Sequence, residues 1–287
     1  MKKLFMLSVL TAATTVSANP DVTSREYKLM LQPSLFAYNT ESTDVDDFID
    51  DAETAIEAAI SRNVSGSATL SKVRDVKFFD TDGSCILRDI GYSFRERIES
   101  GDSEVTLKFR SEDRYISDFE DLSASSGSAE TKLESDIGIA SSANFVIQYS
   151  HSTTAPNTRT INEMEDINDQ FPGFDSDYGY ANSIDLDLVG NLTIREHVYK
   201  NVDIDLGSID AEISVTLWYN GAPTGSATPV VVEVSFKYQD NSADYTQKVV
   251  NRAKQAFLAL QDLTAWTDPA SKTKTRFAYE YDASFCI

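Results

Sequence analysis

Two kinds of hydrophobic spacing run along the chain, and the strand kind dominates. In Arg25 to Leu31 the residues Tyr27, Leu29 and Leu31 alternate with Glu26, Lys28 and Met30. The same period of two recurs in Tyr92 to Arg97 and Val105 to Arg110, then in Leu192 to Tyr199, Ala211 to Tyr219, Val230 to Tyr238 and Thr273 to Tyr281. Strand side chains change face at every residue, so each run predicts a strand with one apolar and one polar face. Two stretches keep helical spacing instead. Val45, Phe48, Ile49, Ala52, Ala55, Ile56, Ala59 and Ile60 form one stripe over Thr43 to Ser61, with Ser42 or Thr43 as cap and aspartates 44, 46 and 47 at the positive helix end. Tyr245, Val249, Val250, Ala253, Phe257, Leu258 and Leu260 form the other. These elements predict an α+β fold, an antiparallel sheet with helices packed on its outside.

The remaining segments are less regular. Val64 to Leu70 reads as a Gly/Ser-punctuated link or short strand leading into Val73 to Phe79, and Asn144 to Tyr149 as a further strand. Residues 151–182 carry Pro156, Pro172, Gly173, Gly179 and many acids around a short helical run at Ile161 to Ile167, the pattern of an acidic insertion in a single domain spanning 19–287. Asp175 and Asp177 suggest a calcium loop, but the glycine is misplaced and the closing glutamate absent, so a solvated loop is the simpler reading.

Charge sharpens the picture. The chain has 25 Lys and Arg against 46 Asp and Glu, a net charge of −21. Such a surface repels nucleic acid and anionic membranes at long range, which disfavours both as partners. Against that background two short rows of cations stand out. Ser93, Arg95 and Arg97 share one strand face, and Thr106, Lys108 and Arg110 share another, with Gly101 and Asp102 between the runs. A hairpin would set the rows side by side, a seat for a small polyanion.

These residues also carry a resemblance. The run FFDTDGSCILRDIGYSFRER followed by SEVTLKFR resembles the CYTH or triphosphate tunnel metalloenzyme family: an aromatic-Asp-Thr turn at Phe79-Asp80-Thr81, Leu87, a Gly-Tyr-Ser-hydrophobic-Arg-x-Arg strand from Gly91 to Arg97, and a strand reaching Lys108. The resemblance implies a closed or nearly closed antiparallel β-tunnel with polar residues inside and helices outside. It further implies a phosphohydrolase acting on tripolyphosphate, a nucleoside triphosphate or a related organic polyphosphate, with Mg²⁺ or Mn²⁺ as cofactor. Matched position by position, Glu26 and Glu233 would hold the metal. Lys28, Arg95, Arg97, Lys108, Arg110, Arg195 and Lys274 (or Lys272 for the late lysine) would grip the phosphates, and Glu212 is the candidate to position water for attack. The family's first glutamate is replaced by Ser24. That departure favours the alternative, an exported module that binds phosphorylated or other anionic ligands without turning them over.

Export is expected from the start of the chain. Residues 1–18 carry lysines at 2 and 3, an apolar run, and Val16-Ser17-Ala18, the pattern of a cleaved secretory signal peptide, so a periplasmic or secreted product is expected. No later apolar run is long enough for a membrane helix. Cys85 and Cys286 are the only cysteines; two thiols meeting an oxidising compartment can pair, and two separately buried thiols is the other reading. His151 and His197 lack the spacing of a zinc pair, and neither neighbours an evident nucleophile.

Overall fold

The computed structural model describes residues 21–141, 144–268 and 272–287; the expected signal peptide lies outside them. Ten strands, β1 (Ser24–Leu31), β2 (Val64–Asp80), β3 (Tyr92–Glu99), β4 (Asp102–Ser111), β5 (Glu130–Ser141), β6 (Asn144–Asn157), β7 (Asp187–Leu188), β8 (Ile194–Asp205), β9 (Asp210–Asn220) and β10 (Val231–Gln239), are joined in the order β3-β4-β6-β5-β1-β10-β9-β8-β2. A β2–β3 pairing closes the ring, and β7 is a two-residue addition on β2. Every junction of the ring is antiparallel except β1 with β5.

The alternation of each strand sorts side chains between the wall's two sides. Tyr27, Leu29 and Leu31 of β1 join Val232, Val234 and Phe236 of β10 in a core beneath α1 (Glu41–Ile60) and α6 (Gln247–Asp262). A second outer core lies over β3 and β4, where Tyr92, Phe94 and Leu107 pack against Met164, Phe171 and Phe174. Those last residues come from the segment holding α4 (Glu165–Asn168) and α5 (Pro172–Tyr178), while α3 (Arg114–Phe119) follows β4. The expected insertion near 151–182 is thus corrected at its start, because residues through Asn157 belong to β6, and the rest supplies apolar cover for the β3–β4 wall. Asp175 and Asp177 lie on α5 rather than in a loop.

A third cluster lies inside the ring. Met30, Val76, Phe78, Ile194, Trp218 and Val231, all on lumen-facing positions, pack with Ala278, Tyr279 and Phe285. The last three belong to α7 (Lys274–Tyr281) and the turn after it. The alternation of Thr273 to Tyr281 predicts a strand; the chain forms a helix there instead. Thr273 caps it by accepting from Arg276 N–H, and Arg276 pairs with Glu280 one turn on. One end of the ring is therefore closed by apolar packing and a helix, making the lumen blind at that end.

The Cys85–Cys286 disulfide ties this closure to the turn after β2. That turn contains α2 (Ile86–Asp89), anchored by Asp80, whose carboxylate accepts N–H bonds from Thr81, Leu87 and Arg88 and the hydroxyl of Tyr279. Gly91 then enters β3 at φ +89°, where an added Cβ would lie 2.9 Å from the Phe109 ring. The motif's aspartate and glycine thus build the wall rather than touch a ligand.

Candidate functional site

The lumen is lined by charge from most of the ring. Ladder partners of adjacent strands point to the same side, and Ser93 faces Lys108, Arg95 faces Thr106 and Arg97 faces Glu104 across β3–β4. On β6, Ser150, Ser152 and Thr154 continue the row opposite Arg110, Lys108 and Thr106. The expected hairpin therefore does place both cationic rows side by side, and both face inward. Lys28, Arg110 and Lys274 join them: Lys28 Nζ lies 3.0 Å from Asp136, and Arg110 donates to Ser150 and to Thr275 on α7.

The carboxylates of the lumen are taken by these cations. Asp136 lies 3.0 Å from Lys28, 3.3 Å from Lys108 and 3.7 Å from Arg110, and accepts from the Ser150 hydroxyl at 2.6 Å. Glu26 lies 2.9 Å from Lys28, and Glu233 2.8 Å from Lys274. Glu196, only 1% exposed, accepts from Arg74 and from Trp218 Nε1, with Arg97 at 3.9 Å. Burial alone would raise these carboxyl pKa values. The cations outweigh it: Glu26 is brought down to about 2, mainly by Lys28, while Asp136 and Glu196 are held well below the usual carboxylate range.

Three cations, Arg95, Arg97 and Lys108, have pKa values depressed by burial, and the Nε of Arg97 like that of Arg95 has no hydrogen-bond partner among the described residues. Arg95 has no carboxylate within 4 Å among the described residues; its guanidinium donates one long bond, 3.4 Å, to Thr106, and its Nε is buried without a partner. Burial first, then the Arg97 charge, depresses its pKa well below the usual guanidinium value. Lys108 is pushed down to about 7 by burial and by Arg110 and Lys28, despite Asp136. Cations outnumber carboxylates at this level of the lumen, and the surplus lies on β3 and β4.

At the open end, Arg74, Arg97, Glu99, Glu104 and Thr154 line a cavity of about 600 Å³. This mouth leads past Arg97 to Arg95 and then to the Lys28, Lys108 and Arg110 group nearer the closed end.

Two expected site residues are not part of that group. Arg195 points to the outer side of β8 and pairs with Asp75 at 3.1 Å. Its neighbour Glu196 is the one that faces the lumen. Glu212 lies near the rim, paired with Lys200 at 2.5 Å. It sits four residues along β9 from Thr216, the partner of Glu233, or about 13 Å at the usual strand rise. A water held there would be far from the Lys108 group. Lys272 pairs with Glu280 on the exposed side of α7, so Lys274 is the lumen lysine. Sequence reasoning missed Arg74, Asp136 and Glu196; only the register of β2, β5 and β8 shows which alternate face is inner.

The implied Mg²⁺ or Mn²⁺ does not fit this donor set. Among the described residues no three His, Cys, Asp or Glu side chains are grouped to hold a metal ion, and Ser24 stands where a further carboxylate would be. The two candidate ligands, Glu26 and Glu233, are each already neutralised by a lysine. No helix among the described residues is long and apolar enough to cross a membrane.

No family model and no curated protein match the chain. Among solved structures it is similar to a protein from Hippeastrum, provisionally assigned as an adenylyl cyclase and described as having a dominant triphosphatase activity, at 12% identity over 90% of this chain and 96% of that one, with a TM-score of 0.43. It is also similar to a protein from Bacillus halodurans provisionally assigned as an adenylate cyclase, at 12% identity over 90% of this chain and 97% of that one, TM-score 0.40. Residues 79–108, which carry the resemblance to the triphosphate tunnel family, supply adjoining walls of a closed strand ring with a charged lumen and helices outside, the architecture that the resemblance implies.

Proposed function

We propose that the lumen binds a small polyphosphorylated anion, tripolyphosphate or a nucleoside polyphosphate being the simplest, in a compartment outside the cytoplasm. The observation that carries this reading is Arg95, a lumen guanidinium with no carboxylate partner and an orphaned Nε. A buried polar group without a partner is costly, and a bound anion is the partner that would satisfy it. Arg97, beside it on β3, suits paired contacts with phosphate oxygens, while Lys28 and Lys108 supply point charges further in. The mouth carries Arg74 and Arg97 on its inner side among the carboxylates of Glu99, Asp102, Glu104 and Glu130, so the attraction for an anion begins inside the ring rather than at its entrance. A disulfide supports export, because such bonds persist in oxidising compartments.

Calorimetric titration with tripolyphosphate and with ATP tests the reading. Binding is expected for the wild type, and Arg95→Ala is expected to lose about 2 kcal/mol, roughly 30-fold in Kd, as charged hydrogen bonds vanish. Equal affinity in both proteins would overturn the assignment of the site. Phosphate released during the titration would add hydrolysis to binding at the same residues.

A further inference from the structure

The lumen has a feature that separates it from a site built for a divalent ion. Lys28 Nζ sits between Glu26 and Asp136, at 2.9 Å and 3.0 Å. Lys274 Nζ reaches in from α7 to Glu233 at 2.8 Å and lies 5.7 Å from the centre of the Trp218 ring. We propose that Lys28 and Lys274 stand in for a divalent cation, so that the lumen takes its polyanion as the metal-free ion. The proposal rests on the binding reading above and specifies the form of its ligand.

Several observations converge on it. Hard divalent ions need several oxygen ligands, and Mg²⁺ in particular demands near-octahedral geometry. Here an ion on Glu26 or Glu233 would have to displace a lysine that has been drawn into the lumen. It would also sit near the surplus charge of Arg95, Lys108 and Arg110, and like charges repel strongly where water is scarce. Ser24 removes one further negative oxygen from the wall, and its buried hydroxyl has no partner of its own. Lys274 acts at the centre of the site rather than at its edge, since its charge is felt by both Glu26 and Glu196.

Two measurements test the proposal. Tripolyphosphate is titrated calorimetrically in EDTA and again in excess Mg²⁺, and Mn²⁺ alone is titrated and followed by electron paramagnetic resonance. Affinity in EDTA is expected to equal or exceed that in Mg²⁺. The wild type is expected to bind no stoichiometric Mn²⁺, whereas Lys274→Met, which uncovers Glu233, gains Mn²⁺ binding; Lys28→Met, which uncovers Glu26, serves if the first variant fails to fold. A tenfold or greater loss of affinity in EDTA, or stoichiometric Mn²⁺ on the wild type, would overturn the proposal. If tripolyphosphate binds in neither buffer, the binding reading fails, and the Mn²⁺ titrations alone then decide whether the lysines occupy a cation's place.

Discussion

Lys274 reaches from the C-terminal helix into the strand ring to lie 2.8 Å from Glu233, whose side chain is 4% exposed. Breaking a buried pair by removing one partner leaves the other charge without compensation, at a cost of about 3–5 kcal/mol. Lys274→Met is therefore expected to unfold at lower urea than the wild type. Lys274→Met combined with Glu233→Gln removes both charges and should recover most of the loss. Urea midpoints for the two single variants and the double variant give the coupling directly; strict additivity would show that the pair does not hold α7 in place.

The disulfide acts on the same helix. Cys85 and Cys286 close a loop with a sequence separation of 201 residues, long enough for the cross-link to restrict the unfolded chain substantially. Cys286→Ser is expected to cost about 3–5 kcal/mol. Hydrogen exchange should rise first in residues 274–281, because Lys274, Thr275 and Tyr279 there hold Glu233, Arg110 and Asp80. Uniform exchange across all strands would argue against a closure that opens locally.

Arg95 is expected to trade stability against binding. Its guanidinium is desolvated beside Arg97, with no carboxylate of the described residues within 4 Å and only the more distant Glu196 charge in its favour, a cost that a bound anion would relieve. Arg95→Met should therefore raise the stability of the free protein by about 1 kcal/mol while weakening polyphosphate binding. Thermal melts with and without tripolyphosphate separate the two effects, since ligand stabilises only a protein that binds it. A variant less stable than the wild type in the absence of ligand would show that Arg95 has a structural role.

How much of this was legible in the sequence depended on whether one face of an element was plainly apolar. The β3–β4 hairpin could be read because Tyr92, Phe94 and Leu107 are apolar against Arg95, Arg97 and Lys108, so the faces sort themselves. Strand β8 could not. His197 and Tyr199 are polar yet buried on the outer side beneath α1, while Ile194 and Val198 face inward, so the alternation gave no sign of which side Arg195 or Glu196 would take. The same ambiguity hid Arg74. Asp136 shares a polar face with Lys132 and Glu134 opposite Leu133 and Ile137, and it was the pairing of β5 with β1, setting Asp136 beside Glu26, that the sequence did not show. For α7, Phe277, Tyr279 and Tyr281 mimic a strand's period, but Thr273 as cap and the Arg276–Glu280 pair favour the helix, and the packing of Ala278 and Tyr279 into the end of the ring fixes it.

The outer network under α1 should show itself at acid pH. Glu41 accepts from His197 Nδ1 and from the hydroxyls of Tyr199 and Tyr219. Burial raises its pKa, but these bonds outweigh it and leave the folded value below the ordinary 4.5. A depressed carboxyl pKa stabilises the fold fully above the unfolded pKa and ceases to do so as pH falls through the folded one. The stability difference between wild type and Glu41→Gln should thus be largest near neutral pH and shrink below pH 4.5. A difference that stays constant from pH 7 to pH 3.5 would show that the carboxylate charge is unimportant there.

Lys108 should give opposite pH responses in the free and the bound protein. Its pKa is pushed down to about 7, well below the unfolded 10.5, so the folded protein disfavours its charged form. Stability of the free protein should then increase as pH rises from 7 towards 10.5, the range in which the unfolded chain still binds this proton. Anion binding runs the other way, because an ammonium attracts phosphate and a neutral amine does not. The ligand's terminal phosphates titrate alike whichever protein is present, so the lysine is read from a comparison of two proteins. Between pH 7.5 and 8.5 the wild type should lose affinity for tripolyphosphate relative to Lys108→Arg, by at most about tenfold for one linked proton. Lys108→Arg keeps its charge over this range. Parallel pH profiles for the two proteins would mean that Lys108 is protonated throughout and that Asp136 outweighs burial at this position.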